Sequence, residues 1–172
     1  MSAPPTARIH EAQSRRLESV VRREAAALLA YFERRVPYSD APDLLGDTLL
    51  VAWRRVDALP TDDQEARMWL FGVARRVLGT SRRGFRRRQA LFDRLREEAA
   101  LSPEVSAPID CELHEALAAL DPVDSEIIRL VHWDGFSLAE VARHLERPAG
   151  TVRSRYSRAR SALKGSLQQN EE

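Results

Sequence analysis

Arginine and serine side chains at helical spacing dominate residues 147–164, and they have the most evident binding chemistry in the chain. Guanidinium and hydroxyl groups hydrogen-bond to base edges and phosphates. No acidic residue interrupts the segment, whereas an ordinary solvated helix face mixes both signs of charge. The segment therefore favours nucleic-acid binding over a merely solvated face. The candidate contact residues are Arg153, Ser154, Arg155, Ser157, Arg158 and Arg160.

The rest of the sequence contains no motif that is typical of catalysis or of metal binding. The four histidines are scattered, and Cys111 has no metal-ligand spacing to any of them. No nucleophile triad, phosphate loop or dinucleotide motif is present. We therefore expect no enzyme activity, no metal and no cofactor.

A helix, a tight turn and a second helix over Ser137–Lys164 would position the Arg/Ser face. Ser137 and Glu140 have capping-box spacing, and Pro148 and Gly150 separate the two helices. The apolar residues of the first helix are Leu138, Val141, Ala142 and Leu145. Those of the second form one stripe: Val152, Tyr156, Ala159 and Leu163. This pattern is typical of a helix-turn-helix DNA-binding unit, with helix 149–163 in the major groove.

The rest of the chain also has helical periodicity. Residues 11–36 form one helix or two, which the pattern leaves open. A helix over 43–56, capped by Ser39 or Asp40, is expected to bury Leu45, Leu49, Ala52, Trp53 and Val56. It would expose Asp43, Gly46, Asp47 and Arg54. Asp62 with Glu65 caps a third helix, and residues 112–132 hold two more, the second capped by Asp121.

A second basic segment follows the third helix, between Ala74 and Arg88. It contains Phe85 and seven arginines without an acidic residue: Arg75, Arg76, Arg82, Arg83, Arg86, Arg87 and Arg88. Cations with an aromatic residue suit unpaired nucleic acid, because they hold the backbone and stack a base. A solvated helix end with Phe85 in the core is the alternative.

Charge and length indicate two domains. The 172 residues suffice for two small ones. Residues 1–88 carry 17 basic and 11 acidic side chains, whereas residues 89–112 carry 2 and 6. We expect an all-α protein with domains at 1–88 and 112–172, joined by an acidic flexible linker over 89–111. No signal peptide, membrane span or disulfide is predicted, so the protein is expected to be cytoplasmic, with no domain after the last helix.

These motifs, taken in order, resemble bacterial RNA polymerase sigma factors of the extracytoplasmic-function (ECF) group. GTVRSRYSRARSAL, residues 150–163, resembles the recognition helix of region four, which reads the minus-thirty-five duplex. DLLGDTLLVAWRRV, residues 43–56, is similar to the region-two helix that binds the polymerase clamp. MWLFGVARRV, residues 68–77, resembles the segment that holds the melted minus-ten strand.

The resemblance implies a sigma factor whose partners are core RNA polymerase, promoter DNA and an anti-sigma factor. The positions matched to polymerase binding are Asp43, Gly46, Asp47 and Leu49. Those matched to the melted strand are Arg75, Arg76, Arg82 and Arg83. On the recognition helix, Arg153, Ser154, Ser157 and Arg158 match base-proximal positions, and Arg155 and Arg160 match phosphate-holding ones.

Three residues depart from the family pattern: Gly46 replaces a usual glutamine, Arg76 a common asparagine and Thr80 a frequent aspartate. They put the minus-ten preference in question. Two other functions remain open at this point. A stand-alone helix-turn-helix regulator would not need the surface of helix 43–56, and a protein-only adaptor would lack salt-dependent DNA binding.

Overall fold

Helices account for the secondary structure of every described part of the chain, as the periodicity predicts. The computed structural model describes residues 5–96 and 111–169, with side chains over 11–81 and for most of 113–168. These residues form seven α-helices and no strand: α1 (Pro5–Glu33), α2 (Ala41–Arg54), α3 (Asp63–Arg96), α4 (Cys111–Ala119), α5 (Pro122–His132), α6 (Leu138–His144) and α7 (Ala149–Gln169). The all-α prediction is therefore confirmed for the described residues.

The chain divides into two compact units, Met1–Glu104 and Val105–Glu172. The segment predicted as a linker, 89–111, begins inside α3, which continues to Arg96, and ends at Cys111, where α4 begins. Residues 97–110 lie outside the described part of the chain.

In the first unit, α1, α2 and α3 pack around a core of aromatic and aliphatic side chains. Tyr31 lies between Phe32 and Phe71, with ring centroids 5.3 and 5.5 Å away and both pairs edge to face. Such geometry is preferred for aromatic pairs. The α1 segment is one continuous helix, and it begins at Pro5, earlier than predicted, in keeping with the preference of proline for a first helical turn.

Ion pairs fix the start of α3 against α1. Glu24, which is buried, accepts hydrogen bonds from Arg67 Nε and Arg23 Nε, both at 3.0 Å. Arg23 also reaches Asp63 Oδ2 at 2.9 Å, and Arg16 reaches Asp63 Oδ1 at 3.1 Å. The Asp62 cap is confirmed, since its carboxylate accepts the Glu65 amide at 2.9 Å.

The buried face of α2 differs from the prediction. Ala41, Leu44, Thr48 and Ala52 are buried, Leu45 and Leu49 are half-buried, and Trp53 is 47 % exposed. The prediction that Trp53 lies in the core is therefore wrong. Residues three or four apart form the buried stripe, and Thr48 can join it because its hydroxyl donates to the Leu44 carbonyl at 2.7 Å.

In the second unit, predicted caps and turns organise α5, α6 and α7. The Asp121 carboxylate accepts the Val123 amide at 2.9 Å. Ser137 and Glu140 form the expected capping box, with Ser137 N donating to Glu140 Oε2 at 2.8 Å. The buried residues of this unit include Ile127, Leu130, Phe136, Val141, Val152 and Ala159.

The turn between α6 and α7 depends on Glu146, which the sequence pattern did not indicate. Pro148 and Gly150, predicted to separate the two helices, lie at the start of α7. Glu146 has φ +54°. The Arg147 amide bonds to the Ala142 carbonyl at 2.9 Å and the Glu146 amide to the Arg143 carbonyl at 3.2 Å, the pattern of a Schellman motif. Gly150 lies inside the first turn of α7.

Candidate nucleic-acid and partner interfaces

The outer face of α7 carries most of the residues predicted to contact duplex DNA. Val152, Ala159 and Leu163 are buried and Tyr156 is half-buried. The Tyr156 hydroxyl lies 3.1 Å from His132 Nε2 on α5. With this stripe held against the unit, the opposite face is turned outward. Its exposed side chains are Arg153, Ser154, Ser157, Arg158 and Arg160.

The three exposed arginines of this face, Arg153, Arg158 and Arg160, form no ion pair with any described residue. Their guanidinium groups therefore have free donors in the part of the chain that the structure describes. The Ser154 hydroxyl donates to the Thr151 carbonyl at 3.0 Å, which leaves its oxygen as an acceptor. The face can bind phosphates and read base edges.

Arg155 departs from this group. Its Nε donates to Asp124 Oδ1 at 2.7 Å and its Nη2 to Asp121 Oδ1 at 2.5 Å, both on α5 or its cap. The pKa of Asp121 is lowered, chiefly because its carboxylate accepts the Val123 amide, and the charge of Arg155 adds to the effect. The DNA contact expected of Arg155 stays a prediction, and in this structure its guanidinium is bound to two carboxylates.

The exposed face of α2 combines acidic and apolar side chains. Asp43, Gly46 and Asp47 are exposed as predicted, and no heavy atom would lie within 4 Å of a Cβ at Gly46. Leu49, expected beside them, is half-buried. The prediction missed Leu50 and Trp53, which are 58 % and 47 % exposed. The docking stripe, as we call it, comprises Asp43, Gly46, Asp47, Leu50 and Trp53, which share one side of α2.

A cleft of about 680 Å³ lies between α2 and α3. Leu50, Val51, Val73 and Val77 contribute its apolar lining, and Asp47 borders it. Three exposed arginines, Arg54, Arg55 and Arg76, also line it and form no ion pair with a described residue.

Among the residues predicted to hold a melted strand, the structure thus places Arg76 in the cleft. Arg75 is half-buried and does not line it. The side chains of Arg82 and Arg83 lie outside the described residues. Arg54 and Arg55 were missed as candidates, although their adjacency on an amphipathic helix could have suggested them.

The described part of the chain carries no sign of two other classes of site. No group of three or more His, Cys, Asp or Glu side chains there could hold a metal ion. None of its helices is long and apolar enough to cross a membrane.

Comparison with known proteins agrees with this arrangement. Residues 112–163 match the family of sigma-70, region 4. The ECF RNA polymerase sigma factor SigL of Mycobacterium tuberculosis is 33 % identical over 135 residues, which cover 76 % of each chain. CnrH, solved in complex with the cytosolic domain of CnrY, is 27 % identical with a TM-score of 0.64, covering 95 % of this chain and 94 % of that chain.

A second solved relative is the sigma factor RpoE of Bartonella quintana, in complex with the anti-sigma factor NepR. It is 25 % identical with a TM-score of 0.56, and the match covers 90 % of this chain and 96 % of that chain. Sequence relatives and solved structures thus point to one family. From the helix-turn-helix of the second unit and these likenesses along most of its length, we conclude that this chain belongs to the ECF RNA polymerase sigma factors.

Proposed function

We propose that this protein joins core RNA polymerase and directs it to a specific set of promoters. As a family member it is a DNA-binding regulatory protein, and we infer that it performs no catalysis of its own. The observation that supports the proposal most is the contrast between two exposed helix faces. The α7 face is cationic and hydroxyl-rich, whereas the α2 face is apolar and acidic.

The second unit is assigned to the upstream promoter duplex. Helix 149–163 would lie in the major groove, with Arg153, Ser154, Ser157 and Arg158 near base edges and Arg160 on phosphate. A good bidentate Arg–guanine pair contributes about 1–3 kcal/mol of base discrimination. This unit corresponds to the domain that we place at 112–172.

The docking stripe of α2 is assigned to core polymerase. Exposed aromatic and aliphatic side chains beside carboxylates are typical of a protein-binding surface. Asp43 and Asp47 would set the orientation through charge, while Leu50 and Trp53 would bury apolar area. Leu49 is half-buried at the border of this surface and would pack beneath its exposed side chains.

The cleft between α2 and α3 is assigned to the unpaired promoter strand. Its volume of about 680 Å³ suits an unstacked base and its sugar. Arg54, Arg55 and Arg76 would hold the flanking phosphates, with Arg75 next to Arg76 and with Arg82 and Arg83 farther along α3. Capture of a base outside the stack favours melting. This is the role that we give to the domain at 1–88, with the linker at 89–111.

A protein inhibitor is also proposed. RpoE was solved with the anti-sigma factor NepR and CnrH with the cytosolic domain of CnrY. We expect this chain to bind an anti-sigma factor in the same way, and the exposed apolar residues of the docking stripe are candidates for the contact. All proposed partners place the protein in the cytoplasm.

Run-off transcription tests the proposal. Purified core polymerase is given a pool of promoter fragments from the source genome, with the protein, without it, or with its Trp53→Ala variant. Discrete transcripts that need the protein would support the assignment, and their upstream sequences would supply both recognition elements. No transcripts together with no binding to core would overturn it and favour a regulator that does not join polymerase.

A further inference from the structure

Arg155 is the cation of α7 whose guanidinium is bound to carboxylates of the same unit. Its side chain is 23 % exposed and that of Asp124 is 20 % exposed. Two of its nitrogens are used, Nε on Asp124 and Nη2 on Asp121. Asp121 is itself fixed, because it caps α5 and accepts the Val123 amide. The arginine thus joins α7 to the first turn of α5.

The position of Arg155 on α7 explains why its side chain can reach α5. It lies four residues before Ala159, so the two side chains are about 40° apart around α7. Arg155 therefore borders the buried stripe, whereas Arg158 lies on the outward face. The stripe is mainly apolar and has small Ala159 near its middle. Apolar contacts are non-directional, so among the described residues the rotation of α7 about its axis depends on its directional contacts with α5, which include the Tyr156–His132 hydrogen bond and the two Arg155 ion pairs.

Rotation matters for a helix that reads bases. A side-chain atom lies about 6 Å from the axis of an α-helix, so a rotation of about 20° would displace it by about 2 Å. A bidentate contact to guanine does not tolerate such a shift, since its two hydrogen bonds need defined distances and angles. A directional link to α5 would restrict this rotation.

We propose that Arg155 is a positioning residue for promoter recognition: it sets the orientation of α7 through Asp121 and Asp124, and it does not bind DNA phosphate. The inference rests on the proposed function of α7 as the duplex-reading helix. A guanidinium already neutralised by two carboxylates displaces no counterion from DNA, so Arg155 leaves the salt dependence of binding unchanged. A phosphate-binding arginine on the same helix contributes to it.

The test compares variants of the full chain assembled with core polymerase. The probes are a promoter fragment recovered by the transcription experiment and the same fragment with its upstream element scrambled. Binding is measured over a range of salt concentrations. For Arg155→Ala we expect the preference for the intact element to fall about fivefold or more, with the same slope of log K against log salt. For the matched control Arg160→Ala, the slope should become shallower by about 0.9.

Two further variants keep the proposal testable if Arg155→Ala does not fold. Asparagine caps a helix as well as aspartate, so the double variant Asp121→Asn/Asp124→Asn preserves α5 and releases Arg155. We expect it to lose selectivity while its salt slope steepens, because a free cation is added. Arg155→Lys keeps the charge but not the planar fork, and it should restore selectivity only in part.

Two results would overturn the proposal. One is a shallower slope for Arg155→Ala with selectivity retained, the behaviour of a phosphate contact. The other is unchanged selectivity in the double asparagine variant. Failure of the proposed function can be distinguished from failure of this proposal. If α7 does not read the promoter duplex, Arg158→Ala would also leave selectivity unchanged. The Arg155–Asp124 coupling, measured by a double-mutant cycle on the stability of the free chain, would persist in that case.

Discussion

The exposed faces of α2 and α7 have opposite chemistry, although both helices are amphipathic. Helix α7 buries its apolar stripe and turns serine and arginine outward. Helix α2 buries a stripe that includes a threonine and leaves Leu50 and Trp53 at the surface beside Asp43 and Asp47. Burial of apolar area stabilises contacts with another protein, whereas cations and hydroxyls suit a polyanion. The comparison supports the proposal that the two helices bind different partners.

Arginine has two roles in each unit: some side chains bind carboxylates, and others are exposed and unpaired among the described residues. In the first unit, Arg16, Arg23 and Arg67 bind carboxylates and connect α1 to the start of α3. In the second, Arg155 binds α5 while its neighbours on α7 remain exposed. Paired arginines hold helices in place, and unpaired ones in the described residues mark candidate binding surfaces. Four experiments test the roles given to these faces and ion pairs.

Truncation of Trp53 should have the largest effect. Removing a central aromatic side chain from a protein interface often costs about 2 kcal/mol or more, which corresponds to about 30-fold in affinity. We expect Trp53→Ala to weaken binding to core polymerase by at least this factor in an equilibrium titration. Tyr38→Ala is the control, because Tyr38 is 72 % exposed but lies outside α2. Equal affinities for both variants and the parent would remove α2 from the polymerase interface.

Arg158→Ala should act on DNA and leave polymerase binding intact. Loss of one bidentate base contact costs about 1–3 kcal/mol, so the ratio of binding to intact and scrambled upstream elements should fall by about 5-fold to 150-fold. Competition binding with the holoenzyme measures the ratio. Arg22→Ala on α1 is the charge-matched control, since Arg22 is also exposed. If selectivity and affinity both stayed at the parental values, α7 would not read the groove.

Gly46→Ala should stabilise the first unit modestly. Glycine inside a helix costs about 0.5–1 kcal/mol relative to alanine, and the added Cβ would meet no atom within 4 Å. Urea unfolding of the full chain should show a gain of this size. A loss of stability would mean that the glycine meets a requirement of the folded chain, and a large loss of polymerase affinity would mean that the partner approaches α2 closely at Gly46.

Acid should destabilise both units slightly and in the same pH range. Hydrogen bonds from Arg23 and Arg16 lower the pKa of Asp63, and the Val123 amide and Arg155 lower that of Asp121. The unfolded chain binds these protons more readily. The stabilisation is therefore present above the ordinary pKa of about 3.9 and is lost as the pH falls through the lower folded values. Urea midpoints should decline below about pH 4, and less steeply for Asp63→Asn. An unchanged decline in that variant would exclude Asp63 as a source of the acid destabilisation.

Local patterns were predictable because they depend on neighbouring residues. The caps at Asp62, Asp121 and Ser137 and the buried stripe of α7 follow from spacings of two to four residues, and the structure confirms them. The helix-turn-helix motif also carried the resemblance to the sigma-factor family, which the sequence relatives show. The turn at Glu146 was not predicted, because glutamate is a residue type that rarely adopts the left-handed conformation.

The sequence alone dictated the helical architecture, the helix-turn-helix and the composition of the outward face of α7. The tertiary structure decided which side of α2 is buried, because the leucines of that helix permit more than one amphipathic face and only packing against α1 and α3 selects one. It also decided the role of Arg155, since Asp121 and Asp124 lie 34 and 31 residues away in the chain. Contacts at such separations exist only after the helices pack, and no local periodicity encodes them.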